Sequence, residues 1–362
     1  LAAIGCVAVN ILLGLVFFFL TPLFLEPKDG KKYAPERTFT GNLNEAKKHF
    51  SRLGLGTFVI LGLGAVVQIL AMGVVDRVFP QWMENSWGMW LITFAPLYLI
   101  AVPVGLLLLR KVPAKPLEKH DLKPGRYIVS AIICIFMMYA GNILGKVITA
   151  LLQLLPGISA GNPILGYATD NALLPKVLFM VILAPVIEEY IFRKQLIDRM
   201  HIYGEKLAVI TSALMFGLFH GNLSQLFYAF ALGLVFGYVY LKTGRLRYSI
   251  GLHMLINFIG SVVGPFFLEK LAVLDTMETM DLATLEPILP WLLGFGAYVL
   301  VLIGLAVTGL VLLCINKRRV SFAPAELELP KESRFKTVYV NVGMILLILG
   351  CAALIISNVM ML

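Results

Sequence analysis

The amino-acid sequence predicts an all-α polytopic membrane protein with about ten transmembrane helices. Of its 362 residues, 59% are hydrophobic and only 14% are charged, which is far from the composition of a soluble domain. Apolar runs recur that are long enough to cross a hydrocarbon core of ~30 Å at ~1.5 Å per residue. Because the runs are continuous and do not alternate with polar residues, helices are favoured over a barrel.

The apolar runs define ten predicted spans. In chain order they are 1–25, 55–75, 88–109, 127–145, 175–195, 207–221, 223–241, 249–268, 289–315 and 338–361. The first run lacks the basic start of a signal peptide, so we expect a membrane helix there. The span 207–221 is short for a crossing, and we expect it to end inside the membrane.

The net charge of +9 is distributed unevenly over the connections between these spans. About 26 of the 30 Lys and Arg residues lie in alternate connections, namely 26–52, 110–126, 193–206, 242–247 and 316–336. The connections 76–87, 156–172 and 269–287 hold almost none. This alternation predicts a multi-pass protein of the plasma membrane with its basic loops in the cytoplasm. The lipid bilayer then accounts for the basicity, and no nucleic-acid partner is required.

Polar residues of catalytic type divide the chain into three predicted regions. Residues 1–172 and 269–362 carry few ionisable groups within their spans and are expected to be packing or substrate-shielding helices. The region 173–268 contains adjacent glutamates, two histidines and an asparagine within apolar segments. Ionisable groups at membrane depth are costly and tend to mark functional sites. We therefore expect the site in the central region.

The first motif in this region is Glu188-Glu189 followed by Arg193. Glu189 and Arg193 are four residues apart on a helix and are expected to pair. Glu188 is rotated by about 100° and has no cation three or four residues away, which leaves it available for chemistry. Pro185 lacks an N–H, so in an α-helix the carbonyl of Val181 is expected to lose its hydrogen bond.

Two further motifs contain the histidines. Phe216 and His220 lie one turn apart, and Gly221-Asn222 after them predicts a turn. His253 and Asn257 likewise share one helix face. Taken alone, each motif is more typical of interhelical hydrogen bonding.

Their depths agree, however. Measured from the nearest basic residues, His253 lies ~9 Å beyond Arg247 and His220 ~21 Å beyond Lys206. We expect the polar groups to meet in one cavity open to the cytoplasmic half.

The three motifs together resemble those of the CPBP family of intramembrane proteases. That family includes the type II CAAX prenyl endopeptidases and the bacteriocin-processing and bacteriocin-immunity proteins, also called the Abi family. The resemblance implies a CPBP-type helical core in which Glu188 activates water, supported by Glu189 and Arg193. It also implies that His220, His253 and Asn257 complete the catalytic site, with Phe216 in a supporting position.

Peptide hydrolysis fits these residue types. It needs a base for water, an acid for the leaving amine and donors for the oxyanion. Glu188 and His220 could share the proton transfers, with His253 and Asn257 facing the oxyanion. Alternatively, His220 and His253 could bind a divalent metal such as zinc, whose water Glu188 deprotonates, although catalytic zinc usually has three protein ligands. Both possibilities stay open at this level.

The predicted function is therefore an intramembrane endopeptidase that cuts a membrane-associated peptide or protein tail. One alternative is a non-catalytic membrane protein of the same fold that confers immunity or scaffolds a partner. A less favoured alternative is a proton-coupled transporter, which would spread polar residues over distant helices and repeat its halves. The sequence shows neither feature.

Overall fold

A computed structural model describes residues 40–155, 158, 172–272, 274 and 285–360 of the chain. The described residues form helices and no strand, which confirms the all-α prediction. In chain order the principal helices are α1 (Leu43–Val78), α2 (Ser86–Leu109), α3 (Pro124–Gln153), α4 (173–200), α5 (Glu205–Phe219), α6 (Leu223–Thr243), α7 (Leu246–Leu271), α8 (Leu289–Arg319), α9 (Lys331–Tyr339) and α10 (Val342–Met360). A short helix at Gln81–Glu84 precedes α2.

Seven helices among the described residues are long and apolar enough to cross a membrane, so the protein is an integral membrane protein. They are α1, α2, α3, α6, α7, α8 and α10. The predicted count of ten is not confirmed. The span 1–25 lies outside the described residues, 175–195 belongs to the charge-bearing α4, and 207–221 belongs to α5. Helix α5 has only 15 residues, or ~22 Å, as its short apolar run predicted.

Helices α5 and α6 form a hairpin whose turn is Gly221-Asn222, as predicted. Gly221 has φ +65°, a left-handed conformation that glycine adopts without steric cost. Asn222 caps α6 by accepting a hydrogen bond at its Oδ1 from the Gln225 N–H at 2.9 Å. Nδ2 of Asn358, near the end of α10, donates to the Gly221 carbonyl at 2.9 Å. The hairpin tip is therefore fixed against the end of α10.

Helix α3 packs closely along α6. A Cβ on Gly141 would lie 2.3 Å from the Cα of Tyr228, so the backbones approach to a distance that only glycine permits. Small residues serve this purpose in membrane helices, because close contact replaces the missing hydrophobic driving force. The contact brings one face of α3 to the hairpin tip.

Three of the basic connections, where the structure describes them, lie together on one face of the molecule. The Lys115 N–H donates to the Asp198 carbonyl at 2.7 Å, and the Leu327 N–H donates to the Ile202 carbonyl at 2.8 Å. These bonds join 110–126 and 316–336 to the connection between α4 and α5. Alternate ends of the helices thus share a face, as the charge pattern predicts. We call this face the basic face.

Candidate active site

The helix that carries both glutamates, α4, is widened just before Pro185. Over Val177–Leu183 the backbone is π-helical, and the Ala184 N–H donates to the carbonyl of Phe179, five residues earlier. Proline has no N–H, so the next hydrogen bond of this pattern is missing. Short π-helical segments within α-helices are frequent at functional sites.

Asn257 on α7 replaces the missing bond. With a spacing of five residues, the acceptor left without the N–H of Pro185 is the Met180 carbonyl. The Asn257 Nδ2 donates to that carbonyl at 2.8 Å. The sequence pointed to the Val181 carbonyl because it assumed α-helical spacing, whereas the π-helical spacing shifts the missing bond to the Met180 carbonyl. Asn257 keeps its second amide hydrogen and its Oδ1 for other contacts.

Glu189 and Arg193 form a fully buried ion pair, which confirms the predicted pairing. Nε of Arg193 donates to Oε2 of Glu189 at 3.0 Å, and both side chains are 0% exposed. Nη1 of Arg193 donates to Oγ of Ser212 at 3.0 Å. The guanidinium carbon lies 4.8 Å from the centre of the Phe216 ring, a cation–π distance. These contacts compensate the burial of both charges.

His253 lies between the two glutamates. Its Nδ1 is 3.2 Å from Oε1 of Glu189, and its Nε2 is 3.6 Å from Oε2 of Glu188. An ionised carboxylate only accepts hydrogen bonds, so Nδ1 carries a hydrogen. The imidazole also stacks on Phe236, with ring centres 5.1 Å apart. The buried ion pair and Phe236 thus orient the imidazole so that Nε2 faces Glu188.

Glu188 lies on the wall of a cavity of about 560 Å³, and its side chain is 24% exposed. In the part of the chain that the structure describes, no Lys or Arg forms a salt bridge with it. His220, His253 and Asn257 line the same cavity. The structure therefore brings the four predicted catalytic residues together around one space.

His220 follows the last residue of α5, and one of its ring nitrogens has no hydrogen-bond partner among the described residues. Its Nδ1 lies 2.8 Å from the Phe216 carbonyl oxygen, which can only accept, so Nδ1 carries the hydrogen. In the neutral ring, Nε2 then has a lone pair for a proton or a ligand. The Phe216 ring packs edge-on against both imidazoles, 4.9 Å from that of His220 and 5.6 Å from that of His253. Phe216 thus contacts both histidines, and its supporting role stays a prediction.

Two polar residues next to the predicted turn, Gln225 and Tyr228, were missed by the sequence reasoning. Nδ2 of Asn222 donates to Oε1 of Gln225 at 2.7 Å, and Nε2 of Gln225 donates to the Tyr228 hydroxyl at 3.0 Å. Since that hydroxyl oxygen accepts from Gln225, its own hydrogen is left for another acceptor. Gln225 and Tyr228 both line the cavity. A glutamine within the apolar span 223–241 was the available signal.

The cavity extends away from the basic face rather than toward it. Its lining includes Gln153, the last residue of α3, and Asn358, near the end of α10. Both helices start at the basic face. The sequence predicted an opening toward the cytoplasmic half, whereas the lining reaches the helix ends opposite the basic face; which face is cytoplasmic stays a prediction. The lining reaches these ends because α5 leaves the basic face at Glu205 and rises ~22 Å before it ends beside His220.

A metal site is not evident from the ligand geometry. Among the described residues, no three His, Cys, Asp or Glu side chains are grouped so as to hold an ion. His253 already has its Nδ1 on Glu189 and its Nε2 toward Glu188. The residues present therefore do not form the three-ligand set that is usual for catalytic zinc.

Fold and cavity together define an integral membrane protein with hydrolase-type groups buried among its helices. The model of the family described as "Type II CAAX prenyl endopeptidase Rce1-like" matches residues 170–259. The chain is also 28% identical to the membrane-embedded CAAX protease MroQ of Staphylococcus aureus (strain USA300) over an alignment of 181 residues, and this match covers 44% of this chain and 68% of that protein. No solved structure matches the chain.

These two matches confirm the resemblance to the CPBP family that the motifs indicated. They support intramembrane protease activity in general. The family match covers most of the predicted core, 173–268, and includes Glu188, His220, His253 and Asn257.

Proposed function

We propose that the chain is an intramembrane endopeptidase in which Glu188 activates the water that cleaves a membrane-associated peptide or protein tail. The observation that carries this proposal is the difference between two adjacent carboxylates. Glu189 is fully buried and bonded to Arg193 and His253, whereas Glu188 faces the cavity without a Lys or Arg partner in the described chain. A general base must be reachable by water, and Glu188 is the one of the pair that meets this requirement.

The reaction begins when Glu188 takes a proton from a water in the cavity. The water oxygen forms a bond to the carbonyl carbon of the scissile peptide, and the carbonyl oxygen becomes an oxyanion. The carbon–nitrogen bond then breaks while the proton that Glu188 took from water passes to the leaving nitrogen, either directly or through Nε2 of His220. One water is consumed, and a new carboxylate and a new amine are formed. Proton transfers of this kind contribute ~100- to 10,000-fold to a rate.

Donors for the oxyanion are available from residues that already hold the site together. Asn257 has a second amide hydrogen besides the one it gives to Met180. Tyr228 has its hydroxyl hydrogen, because its oxygen accepts from Gln225. Donors fixed in advance by other bonds need no reorganisation when the charge develops.

A divalent metal such as zinc stays a prediction, and no step above depends on one. If a metal were bound, His220 and His253 would be its ligands, and it would lower the pKa of the attacking water. Loss of cleavage on chelation, restored by zinc, would establish a metalloenzyme. Unchanged cleavage after chelation would establish the metal-free reaction.

We assign the protein to the plasma membrane with its basic loops in the cytoplasm, following the Lys and Arg bias. Its substrate would enter from the bilayer as a peptide or protein tail. Tails with a prenylated C-terminal CAAX motif, the substrates named in the description of the matching family, are one class to test.

The test compares protein termini in membranes of cells that carry wild type or Glu188→Gln. The matched control is Glu84→Gln, which removes an exposed carboxylate outside the cavity. New termini should appear with wild type and with the control, and at least ~100-fold fewer with Glu188→Gln at equal protein level. The result that would overturn the assignment is full processing by purified Glu188→Gln protein.

The same assay separates a protease from a scaffold or immunity protein. His220→Ala and His253→Ala should each remove most of the cleavage, and the double variant should lose little more. Residues that act as one catalytic unit are strongly non-additive. Undiminished cellular function in the stably inserted double variant would instead support the non-catalytic alternative.

A further inference from the structure

Lys146 is a cation inside a transmembrane helix, and the proposed reaction does not use it. It is one of only four Lys and Arg residues outside the basic connections. It lies on α3, 22 residues beyond Pro124 at the start of the helix and seven before Gln153 at its end. A charged side chain at such a depth is costly and is usually retained for a function.

The close packing of α3 on α6 brings Lys146 to the hairpin tip. A Cβ on the preceding residue, Gly145, would lie 3.2 Å from the Leu223 carbonyl oxygen, at the first residue of α6. Lys146 therefore lies at the level of the turn that holds His220. Its side chain is exposed, and it lines the same cavity as Glu188.

Lys146 also borders a second cavity of about 680 Å³ between α3, α7 and α8. That cavity is lined mainly by apolar side chains such as Ile143, Leu302 and Phe295. In the described part of the chain, no carboxylate lies within salt-bridge distance of Lys146. An ammonium group that has no counter-ion among the described residues and lies at the junction of two cavities is suited to bind an anion that arrives with a ligand.

We propose that Lys146 binds a carboxylate of the peptide substrate and thereby positions the tail relative to Glu188. The carboxylate can be the C-terminus of the peptide or an acidic side chain within it. This inference rests on the proposed function, since it assigns the second binding point of the same substrate. With Glu188 and Lys146 on the wall of one cavity, the peptide is bound in a single direction and the scissile bond is selected.

The experiment uses three fluorescent forms of one apolar octapeptide: a free C-terminal carboxylate, a C-terminal amide, and the amide with one internal Asp. Binding is measured on the full-length Glu188→Gln protein in neutral detergent, so that no cleavage is needed. Adding Lys146→Met should weaken binding of the carboxylate form by ~10- to 100-fold, the usual effect of losing one charge-assisted hydrogen bond. Binding of the plain amide should change less than about threefold.

The form with internal Asp separates the two sources of the carboxylate. If the terminus is the ligand, this form binds like the plain amide; if a side chain suffices, it binds like the free acid. Lys146→Arg should retain most of the discrimination, because it keeps the charge. Lys270→Met, which removes a partly exposed cation near the end of α7 outside both cavities, should change nothing.

The same binding is also measured in vesicles with and without anionic lipid. Three results would overturn the inference: no binding of any peptide, equal weakening of all three by Lys146→Met, or an effect of Lys146→Met that appears only in vesicles with anionic lipid. The last result would identify a lipid phosphate as the ligand. Failure of the proposed function is a different outcome. In that case the peptides bind with the expected dependence on Lys146, yet wild-type protein cleaves none of them.

Discussion

At the scale of single residues, the contrast between Glu188 and Glu189 comes from one step of helical rotation. A turn of about 100° directs one carboxylate to the interior between α4, α5 and α7 and the other to the cavity. The sequence contained this contrast, because Arg193 lies four residues from Glu189 and no cation is similarly placed for Glu188. The His253 bridge between them could not be predicted, since it depends on how α7 packs against α4.

The first prediction concerns the buried ion pair. Arg193→Ala or Glu189→Gln should lower the free energy of unfolding by ~3–5 kcal/mol, because each leaves a buried charge without its partner. Activity and the amount of inserted protein should fall together. Thermal unfolding of the purified variants in detergent measures the first effect, and membrane immunoblots measure the second.

Glu188→Gln is the matched control for these two variants, since it changes the neighbouring carboxylate in the cavity. Its unfolding temperature should stay close to that of wild type while cleavage is lost. Equal destabilisation by Glu188→Gln and Glu189→Gln would contradict the division of roles between the two glutamates.

At the scale of secondary-structure elements, α4 illustrates what a sequence pattern can and cannot specify. Pro185 correctly indicated a missing hydrogen bond in the helix that carries the glutamates. It could not indicate the register, because an α and a π spacing leave different carbonyls without a donor. The π spacing leaves the Met180 carbonyl free, and Asn257 binds it from α7.

The second prediction is a coupling between Asn257 and Pro185. Asn257→Ala should lower the free energy of unfolding by ~1 kcal/mol, because the partly buried Met180 carbonyl loses its donor. Pro185→Ala restores an N–H that can bond to this carbonyl. The double variant should therefore be more stable than Asn257→Ala alone.

A double-mutant cycle on thermal unfolding measures this coupling. Pro103→Ala, which changes a proline at the start of an α-helical segment of α2, is the control and should not rescue Asn257→Ala. Additive effects of Pro185→Ala and Asn257→Ala would mean that the two residues do not serve the same carbonyl. The amide of Asn257 would then have a different role.

At the scale of the whole molecule, charge and hydropathy predicted the helical class and the grouping of the basic connections on one face. They did not predict the mouth of the cavity. Depth estimates from the sequence place His220 and His253 at compatible levels in the membrane. Access to the cavity, however, depends on which helix ends leave a gap between them. Here the gap lies near Gln153 and Asn358, at the ends of helices that start on the basic face. Such a gap is a property of packing between distant segments.

The last prediction concerns orientation and access together. The four native cysteines are first replaced by alanine, and a single cysteine is then introduced at Lys119, Glu286 or Gln153. Intact cells that carry each variant are treated with an impermeant thiol reagent. Lys119→Cys, in a basic connection, should react only after permeabilisation, whereas Glu286→Cys should react from outside. Gln153→Cys, at the mouth of the cavity, should react from the same side as Glu286→Cys. When Gln153→Cys is combined with Glu188→Gln, a bound tail peptide should slow its reaction. If Gln153→Cys reacted from the same side as Lys119→Cys, the cavity would open toward the basic face. If Lys119→Cys reacted in intact cells, the orientation of the whole molecule would be the reverse of the one assigned.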